Sequence, residues 1–204
     1  ERLSVDKVMP STSQVTPEEF KKMYGRLIDE GYDILSMHIS GKLSGTLDSA
    51  IQAKKDFADD RIELVDTLST SMAMGFQVLS AARMAAMGAT LAECKAVAEK
   101  AAQQTGVFFV VSTLEFLHRG GRIGGAQAFL GTMLNMKPIL ELRDGRIEAI
   151  ERVRTTSKAT DRLLDLVDVF EPTLKVLLVG QDADGIGPAL LVGPRDSYGI
   201  EVLP

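Results

Sequence analysis

The sequence predicts an α/β protein in two parts, the first with a mostly parallel sheet covered by helices and the second with a mixed sheet. Between residues 17 and 104, short apolar runs alternate with segments of helical period, the pattern of strands and covering helices. Later, an Asp144-Gly145 pair separates two strand-like runs, as in a β-hairpin. We therefore expect two α/β domains, residues 1–105 and residues 106–204.

The first half contains signals for a helix, two strand–helix units and a further helix. Pro17 followed by two glutamates indicates a helix start, and Phe20, Met23 and Leu27 share one face of that helix. The predicted elements are a helix over 17–31, a strand over 33–39, a helix from near Ser44, a strand over 61–67, and helices over 71–87 and 90–104. The single cysteine, Cys94, lies on the apolar face of the last helix, so we expect it to be buried.

The second half departs from this alternation at its hairpin. Its predicted elements are a buried strand entering a short helical turn over 106–117, a helix over 124–135, a hairpin over 137–153, a helix over 155–170 and a strand over 174–180. A hairpin pairs antiparallel strands, so its presence beside a strand–helix pattern predicts a mixed sheet. The Gly- and Pro-rich segment after residue 180 carries no clear pattern.

Composition argues against several functional classes. The net charge of −5 and a pI near 5.2 argue against a nucleic-acid surface, which needs clustered Lys and Arg. The two histidines, His38 and His118, lie outside zinc motifs, so we expect no metal site, and His38 reads as a buried structural histidine. The Gly-rich segments lack the spacing of nucleotide-binding loops.

Hydropathy predicts neither a membrane span nor a signal peptide. No run of 18 uncharged apolar residues is present, and the first ten residues lack an apolar core. We therefore expect a cytoplasmic protein. The chain begins with Glu1 and without a strand-like opening, so we also expect a fragment whose ends are missing.

Two polar clusters are the candidate binding features. Ser40, Ser44 and Thr46 fall where a predicted strand ends and a helix begins, so hydroxyls and unpaired backbone N–H groups suit an anion there. The alternative is that Ser44 is simply the helix N-cap. The second cluster precedes the first helix and comprises Thr12, Ser13, Gln14 and Thr16. Caps and turns also explain that cluster.

The methionines suggest an apolar cavity beside such a site. Of nine methionines, four fall in one predicted helix and two lie near the hairpin: Met72, Met74, Met84 and Met87, then Met133 and Met136. Methionine adapts to irregular apolar shapes, so these residues fit either a packed core or a cavity for an acyl chain.

Several ordered motifs give the chain a family resemblance. They are "TSQVTPEEF", "ISGKLSGTLDSA", "LEFLHRGGRIG", "LNMKPIL" and "RVRTTSKA", and together they extend over most of the chain. In order and spacing they resemble the motifs of the DegV family of bacterial fatty-acid-binding proteins.

The resemblance implies a lipid carrier and not an enzyme. Such proteins hold one long-chain fatty acid, such as palmitate or oleate, without a cofactor, and present it to a separate fatty acid kinase whose acyl-phosphate product serves phospholipid synthesis. By motif match, Thr12 and Ser44 hold the carboxylate, and Ser13, Gly45 and Thr46 complete the polar shell. Arg122 and Arg154 are implied at the surface that meets the kinase.

The sequence departs from the family pattern at several points. The family's opening strand with an Asp-Ser pair and its closing His-containing motif are absent, and neither histidine of this chain matches the latter. Val15 stands where the family has proline, and Leu47 stands where an aromatic residue is frequent.

Two other functions fit the same residues. The first is a hydrolase or phosphate-handling enzyme with Ser44 as nucleophile, for which Lys42 and Asp48 are the nearest candidate bases. The second is a regulatory scaffold with an unoccupied pocket, whose partner binding would be unaffected by lipid removal.

Overall fold

A computed structural model describes residues 11–58, 60–131, 136–168, 175–180 and 189–192 of the chain. The helices are α1 (Pro17–Asp29), α2 (Thr46–Lys54), α3 (Ser71–Ala86), α4 (Leu91–Gln103), α5 (Glu115–Arg119) and α6 (Thr156–Asp168), with a 3₁₀ helix over Gly124–Phe129. The strands are β1 (Ile34–His38), β2 (Ile62–Asp66), β3 (Thr105–Val110), β4 (Lys137–Arg143), β5 (Arg146–Val153), β6 (Lys175–Gly180) and β7 (Ala189–Val192). None of the helices in these ranges has the length and apolar content that crossing a membrane requires.

The first sheet pairs β1 and β2 in parallel, from Ile34 opposite Ile62 to His38 opposite Asp66. Side chains alternate across it, so each face buries its own set. Ile34 and Ile62 face α1 and α2, where they pack with Tyr24 and Ala53. Leu35, Met37 and Val65 face the opposite way, where Val65 packs with Ala81 of α3 and Ala98 of α4. The predicted parallel sheet with helices on it is therefore confirmed.

The second sheet has five strands in the order β5-β4-β3-β6-β7. Strand β3 pairs with β6 in parallel and with β4 antiparallel, while β4–β5 and β6–β7 are antiparallel. The predicted mixed sheet is confirmed. Helix α6 covers one face of this sheet, where Ala159 and Leu163 pack with Phe108, Val110 and Ile139.

The turn between β4 and β5 has the predicted Asp-Gly chemistry. Asp144 has φ 50° and Gly145 has φ 79°, and two consecutive positive φ values define the hairpin turn that Asp-Gly sequences favour. Gly145 is buried, so the tip of this hairpin is covered by other parts of the protein.

Three predictions made from sequence need correction. Ser44 lies one residue before the cap position, because α2 begins at Thr46 with Gly45 as its cap residue, although Ser44 Oγ does accept the Thr46 N–H as a capping hydroxyl would. A short 3₁₀ helix over Gly124–Phe129 replaces the start of the predicted helix over 124–135, and it ends there because Leu130 has an extended backbone with ψ 139°. Residues 132–135 lie outside the described residues.

The third correction concerns two of the six methionines, whereas Met74, Met84 and Met136 are half-buried and still fit the prediction. Met72 is 41% exposed and Met87 is 73% exposed, so they line neither a core nor a closed cavity. Helix α3 buries its small residues Ala73 and Ala81 instead, which lets the helix approach the first sheet closely. Met133 lies outside the described residues.

Candidate functional site

The loop between β1 and α2 is held in place by hydrogen bonds from its first polar residue, Ser40. Ser40 is fully buried, and its backbone N–H donates to Ser69 O at 2.9 Å. Its carbonyl accepts from the N–H groups of Leu43 and Ser44 at 2.9 and 3.1 Å. Its hydroxyl donates to Gly145 O at 2.8 Å, which joins the loop to the hairpin tip of the second sheet. The loop that carries Ser44 is therefore fixed from both halves of the chain.

Two hydroxyls meet at the start of α2. Ser44 Oγ and Thr46 Oγ1 are 2.8 Å apart, and Thr46 N–H donates to Ser44 Oγ at 3.3 Å. In the arrangement in which the Thr46 hydroxyl and the Thr46 N–H both donate to Ser44 Oγ, the Ser44 hydroxyl can donate its own proton to another acceptor. Both residues are half-buried, so this proton is within reach of a ligand in partly desolvated surroundings.

The amino terminus of α2 adds to the attraction for an anion. The cap residue is Gly45, which has no side chain to bond the amides of the first turn, and the N–H groups of a first helical turn have no partners within the helix, although Thr46 N–H donates to Ser44 Oγ. These N–H groups and the positive end of the helix dipole favour a negative group. Asp48 also lies in this turn, but its side chain is exposed and its charge is screened by solvent.

The segment before α1 lies against this helix start. Gln14 Nε2 donates to Ser49 Oγ of α2 at 3.0 Å, and the Gln14 side chain lies directly over Gly45. Thr12 and Ser13, just before Gln14, are exposed. Thr16 caps α1 by accepting from Glu19 N–H at 3.3 Å, so one member of this cluster is a cap, as the simpler interpretation holds. The structure thus brings the two polar clusters of the sequence together through Gln14.

Sequence reasoning named Gln14 as a member of the second polar cluster but did not predict its contact with α2. Its contact with α2 joins positions 35 residues apart, which no local pattern reveals. The signal available was its place inside the "TSQ" motif, between two hydroxyl residues and the cap Thr16.

Arg122 supports the same loop from the second half of the chain. Its Nε donates to Leu43 O at 3.2 Å and its Nη1 donates to Gly120 O at 2.6 Å, although the side chain is exposed overall. Leu43 packs against a buried cluster of the second half: Leu114, Ile123, Ala126, Leu140 and Ile147. Arg154, the other predicted contact residue, is exposed just after β5.

His38 belongs to a buried hydrogen-bonded chain beneath the site. Tyr24 Oη donates to Ser36 Oγ at 2.7 Å, and Ser36 Oγ is hydrogen-bonded to His38 Nε2 at 2.8 Å, where the imidazole tautomer decides which of the two donates. His38 is only 5% exposed, and burial lowers its pKa below the ordinary histidine value, an effect that Asp66 partly offsets. The prediction of a buried, satisfied structural histidine is confirmed.

The surroundings of Ser44 differ from those of a catalytic nucleophile. Its hydroxyl contacts another hydroxyl and a backbone amide, neither of which takes up a proton at neutral pH. Lys42 and Asp48 are both exposed. Within the ranges that the structure describes, no group of three or more His, Cys, Asp or Glu side chains is arranged to hold a metal ion.

A mostly apolar cavity of about 370 Å³ lies along β1 on the face covered by α3 and α4, and it is open to solvent, since Val78, Ala82 and Ala85 of its lining are exposed. It extends from Asp33 to Met37, and so toward the end of β1 from which the Ser40–Ser44 loop departs. Its lining residues are Asp33, Leu35, Met37, Val78, Ala81, Ala82, Ala85, Ala89, Thr90, Leu91 and Cys94. The prediction that Cys94 is a buried residue of an apolar helix face is confirmed.

Comparison with known proteins places this geometry in a family context. A DegV domain-containing protein of Streptomyces coelicolor is 46% identical over 157 residues, which are 76% of this chain and 56% of that protein. A DegV family protein of Thermus thermophilus, whose structure is described as showing fatty acid binding, is 44% identical with a TM-score of 0.74, over 80% of this chain and 58% of that one.

A Thermotoga maritima protein, described as revealing a fatty acid binding function, is 31% identical with a TM-score of 0.70, over 87% of this chain and 62% of that one. The chain therefore spans a little over half the length of these relatives. The family model described as "Uncharacterised protein, DegV family" matches residues 1–184. From this match and the identities above, the chain belongs to the DegV family.

Proposed function

We propose that this protein binds one long-chain fatty acid, such as palmitate or oleate, with its carboxylate at the start of α2. The observation that carries the proposal is the Ser44–Thr46 hydroxyl pair, 2.8 Å apart, beside the first-turn N–H groups of α2, which have no carbonyl partner within the helix. Relatives 44% and 31% identical are described as binding fatty acids, which supports the same ligand here.

In this proposal the carboxylate is held without a positive side chain. Ser44 and Thr12 donate from their hydroxyls, and Ser13, Gly45 and Thr46 complete the polar shell. Hydroxyl and amide donors suit a carboxylate because a charge-assisted hydrogen bond is stronger than a neutral one. The contact of Gln14 with Ser49 supports this arrangement, since it brings the segment carrying Thr12 to the same helix.

We assign the acyl chain to the apolar cavity along β1. Its volume of about 370 Å³ lies within the range of pockets for small ligands, roughly 300–1,000 Å³. Leu35, Met37 and the alanines of α3 offer apolar contact, and each buried methylene contributes about 0.8 kcal/mol. The Met37 end of the cavity leads toward the loop that carries Ser44.

The protein would act as a carrier that presents the fatty acid to a kinase in the cytoplasm. No cofactor is needed, because binding alone is required of this chain, and phosphorylation would be the work of the partner. The acyl-phosphate would then enter phospholipid synthesis. Arg154, which is exposed after β5, is the better candidate for contact with the kinase, because Arg122 also supports the Leu43 carbonyl.

A calorimetric titration tests the binding proposal. Delipidated protein is titrated with palmitate and with hexadecanol, which has the same chain but no carboxylate. We expect palmitate to bind and hexadecanol to bind at least about tenfold more weakly, because it lacks the charged acceptor. Extraction of protein purified from a bacterial host checks for a bound lipid. Absence of any copurifying fatty acid together with no binding of palmitate or oleate would contradict the proposal.

The two arginines give a test of the kinase proposal. In Arg154→Ala, palmitate affinity should stay unchanged while acyl-phosphate formation by a fatty acid kinase falls. In Arg122→Ala, both should fall, because the lost guanidinium also releases Leu43. Normal acyl-phosphate formation with both variants would exclude these arginines from the contact.

A further inference from the structure

Gly45 is required for space and not for backbone conformation. Its φ of −75° and ψ of 8° are accessible to any residue, so the backbone does not explain the glycine. A Cβ at this position would overlap Gln14 Oε1 and would lie 2.9 Å from both Cδ and Nε2 of the same side chain. Glycine at residue 45 therefore makes room for the Gln14 amide.

The same amide is tied to the next turn of the helix. Gln14 Nε2 donates to Ser49 Oγ at 3.0 Å, and Ser49 is 1% exposed. Ser49 is itself fixed, because its N–H donates to Gly45 O at 3.1 Å within α2. The Gln14 side chain thus spans the first turn of α2 from Gly45 to Ser49.

We infer that Gln14 is a positioning residue that fastens the segment 11–16 to α2 and so sets the place of Thr12 beside Ser44. This inference rests on the proposed function. The segment has no helix or strand and its side chains are exposed, so packing does not hold it. Two residues of chain span at most about 7 Å, so fixing Gln14 confines Thr12 to the neighbourhood of the helix start.

Gln14 acts through Thr12 and does not touch the ligand. Its amide is directed at Gly45 and Ser49, and the donor contact that it makes among the described residues is within the protein. Without the hydrogen bond from Gln14 to Ser49, the segment would have to be ordered at the moment of binding, which lowers the apparent affinity. The cost should appear as weaker fatty acid binding with the acyl-chain preference unchanged.

A double-mutant cycle between Gly45 and Gln14 tests whether the Gln14 amide positions the segment 11–16 against α2. We expect Gln14→Ala and Gly45→Ala each to weaken palmitate binding roughly three- to tenfold, the range of one neutral hydrogen bond. In the Gln14→Ala background, Gly45→Ala should add less than about twofold, because its Cβ then meets no amide. Ser49→Ala, which removes the acceptor, should match Gln14→Ala and add nothing to it. Additive effects in either pair would overturn the inference.

A second readout does not depend on the ligand. Backbone ¹⁵N order parameters of residues 12–14 in the lipid-free protein should be near about 0.85 and should fall below about 0.6 in Gln14→Ala. Unchanged order parameters would overturn the inference even if palmitate binds. The unmutated protein could instead fail to bind palmitate while the order parameters respond as expected. That result would contradict the proposed function and would leave the positioning role of Gln14 intact.

Discussion

Ser44 offers a ligand one hydroxyl group, and its neighbours hold the oxygen of that group in place. Ser44 Oγ accepts from Thr46 N–H and shares a hydrogen bond with the Thr46 hydroxyl in which either oxygen can donate, so the Ser44 rotamer is constrained before a ligand arrives. A preorganised donor avoids the cost of ordering on binding. The strength of the site should therefore depend on this one oxygen more than on the exposed hydroxyls around it.

Ser44→Ala should weaken palmitate binding roughly 10- to 150-fold, because a hydrogen bond to a charged group contributes about 1.5–3 kcal/mol. Titration with palmitate measures the loss. Ser157→Ala, which removes an exposed hydroxyl of α6 far along the chain, is the matched control and should bind as the unmutated protein does. Equal affinity of the two variants would exclude Ser44 from the carboxylate site.

His38 makes stability depend on pH. Burial lowers the pKa of folded His38, so the unfolded chain takes up the proton more readily than the folded protein. Stability from this residue is therefore complete above the ordinary histidine pKa of about 6.5, and it is lost as the pH falls below that value toward the lower folded pKa.

His38→Gln should flatten the acid-side decrease in the free energy of unfolding, measured by urea denaturation between about pH 5 and pH 8. His118→Gln is the control, because His118 is exposed on α5, and it should retain the decrease. A decrease of the same size in both variants would show that other groups cause it.

At the scale of elements, helix α3 has two neighbouring alanines with different surroundings. Both alanines are exposed, but Ala85 lines the apolar cavity, whereas Ala86 is not among its lining residues. Ala85→Leu should weaken palmitate binding roughly tenfold and affect the shorter laurate less, because the added side chain displaces methylenes worth about 0.8 kcal/mol each. Ala86→Leu should change neither affinity. Equal effects of the two variants would place the acyl chain elsewhere.

The β4–β5 hairpin is positioned by contact with the Ser40 loop. A Cβ on Gly145 would overlap Ser40 Oγ and approach Leu68 Cδ2 to 3.3 Å. Gly145→Ala should therefore lower the free energy of unfolding by about 1–3 kcal/mol more than Gly88→Ala, as measured in urea. Gly88 is the control because its φ of 86° is similar and a Cβ added there would have no atom within 4 Å. Equal decreases in the free energy of unfolding for the two variants would mean that the hairpin does not pack closely against Ser40.

Local patterns predict the elements well where period and turn chemistry agree. The Asp144-Gly145 turn, the strand–helix alternation and the cap Thr16 are all local signals, and the structure contains each of them. The interpretation of Ser44 as the cap misplaces the helix start by one residue, a shift within the usual uncertainty of helix boundaries, and Ser44 Oγ still accepts the Thr46 N–H. The contacts of Gln14 with Ser49 and of Ser40 with Gly145 join distant parts of the chain, so only the folded arrangement reveals them.

At the scale of the whole molecule, the proposed site draws support from both halves of the chain. Ser40 is bonded to Gly145, and Leu43 packs into the buried cluster beside Leu140 and Ile147. The division into domains at residues 105 and 106 stays a prediction. If it holds, the loop that carries Ser44 lies where the two domains touch, and relative motion between them would move one side of the site.

The most direct test of the carboxylate site is a crystal structure of the protein with bound palmitate. We predict that one carboxylate oxygen lies within hydrogen-bonding distance, about 2.5–3.0 Å, of Ser44 Oγ and that the other oxygen or the same one lies at such a distance from Thr12 Oγ1. Palmitate bound with its carboxylate beyond reach of Ser44 would contradict the account.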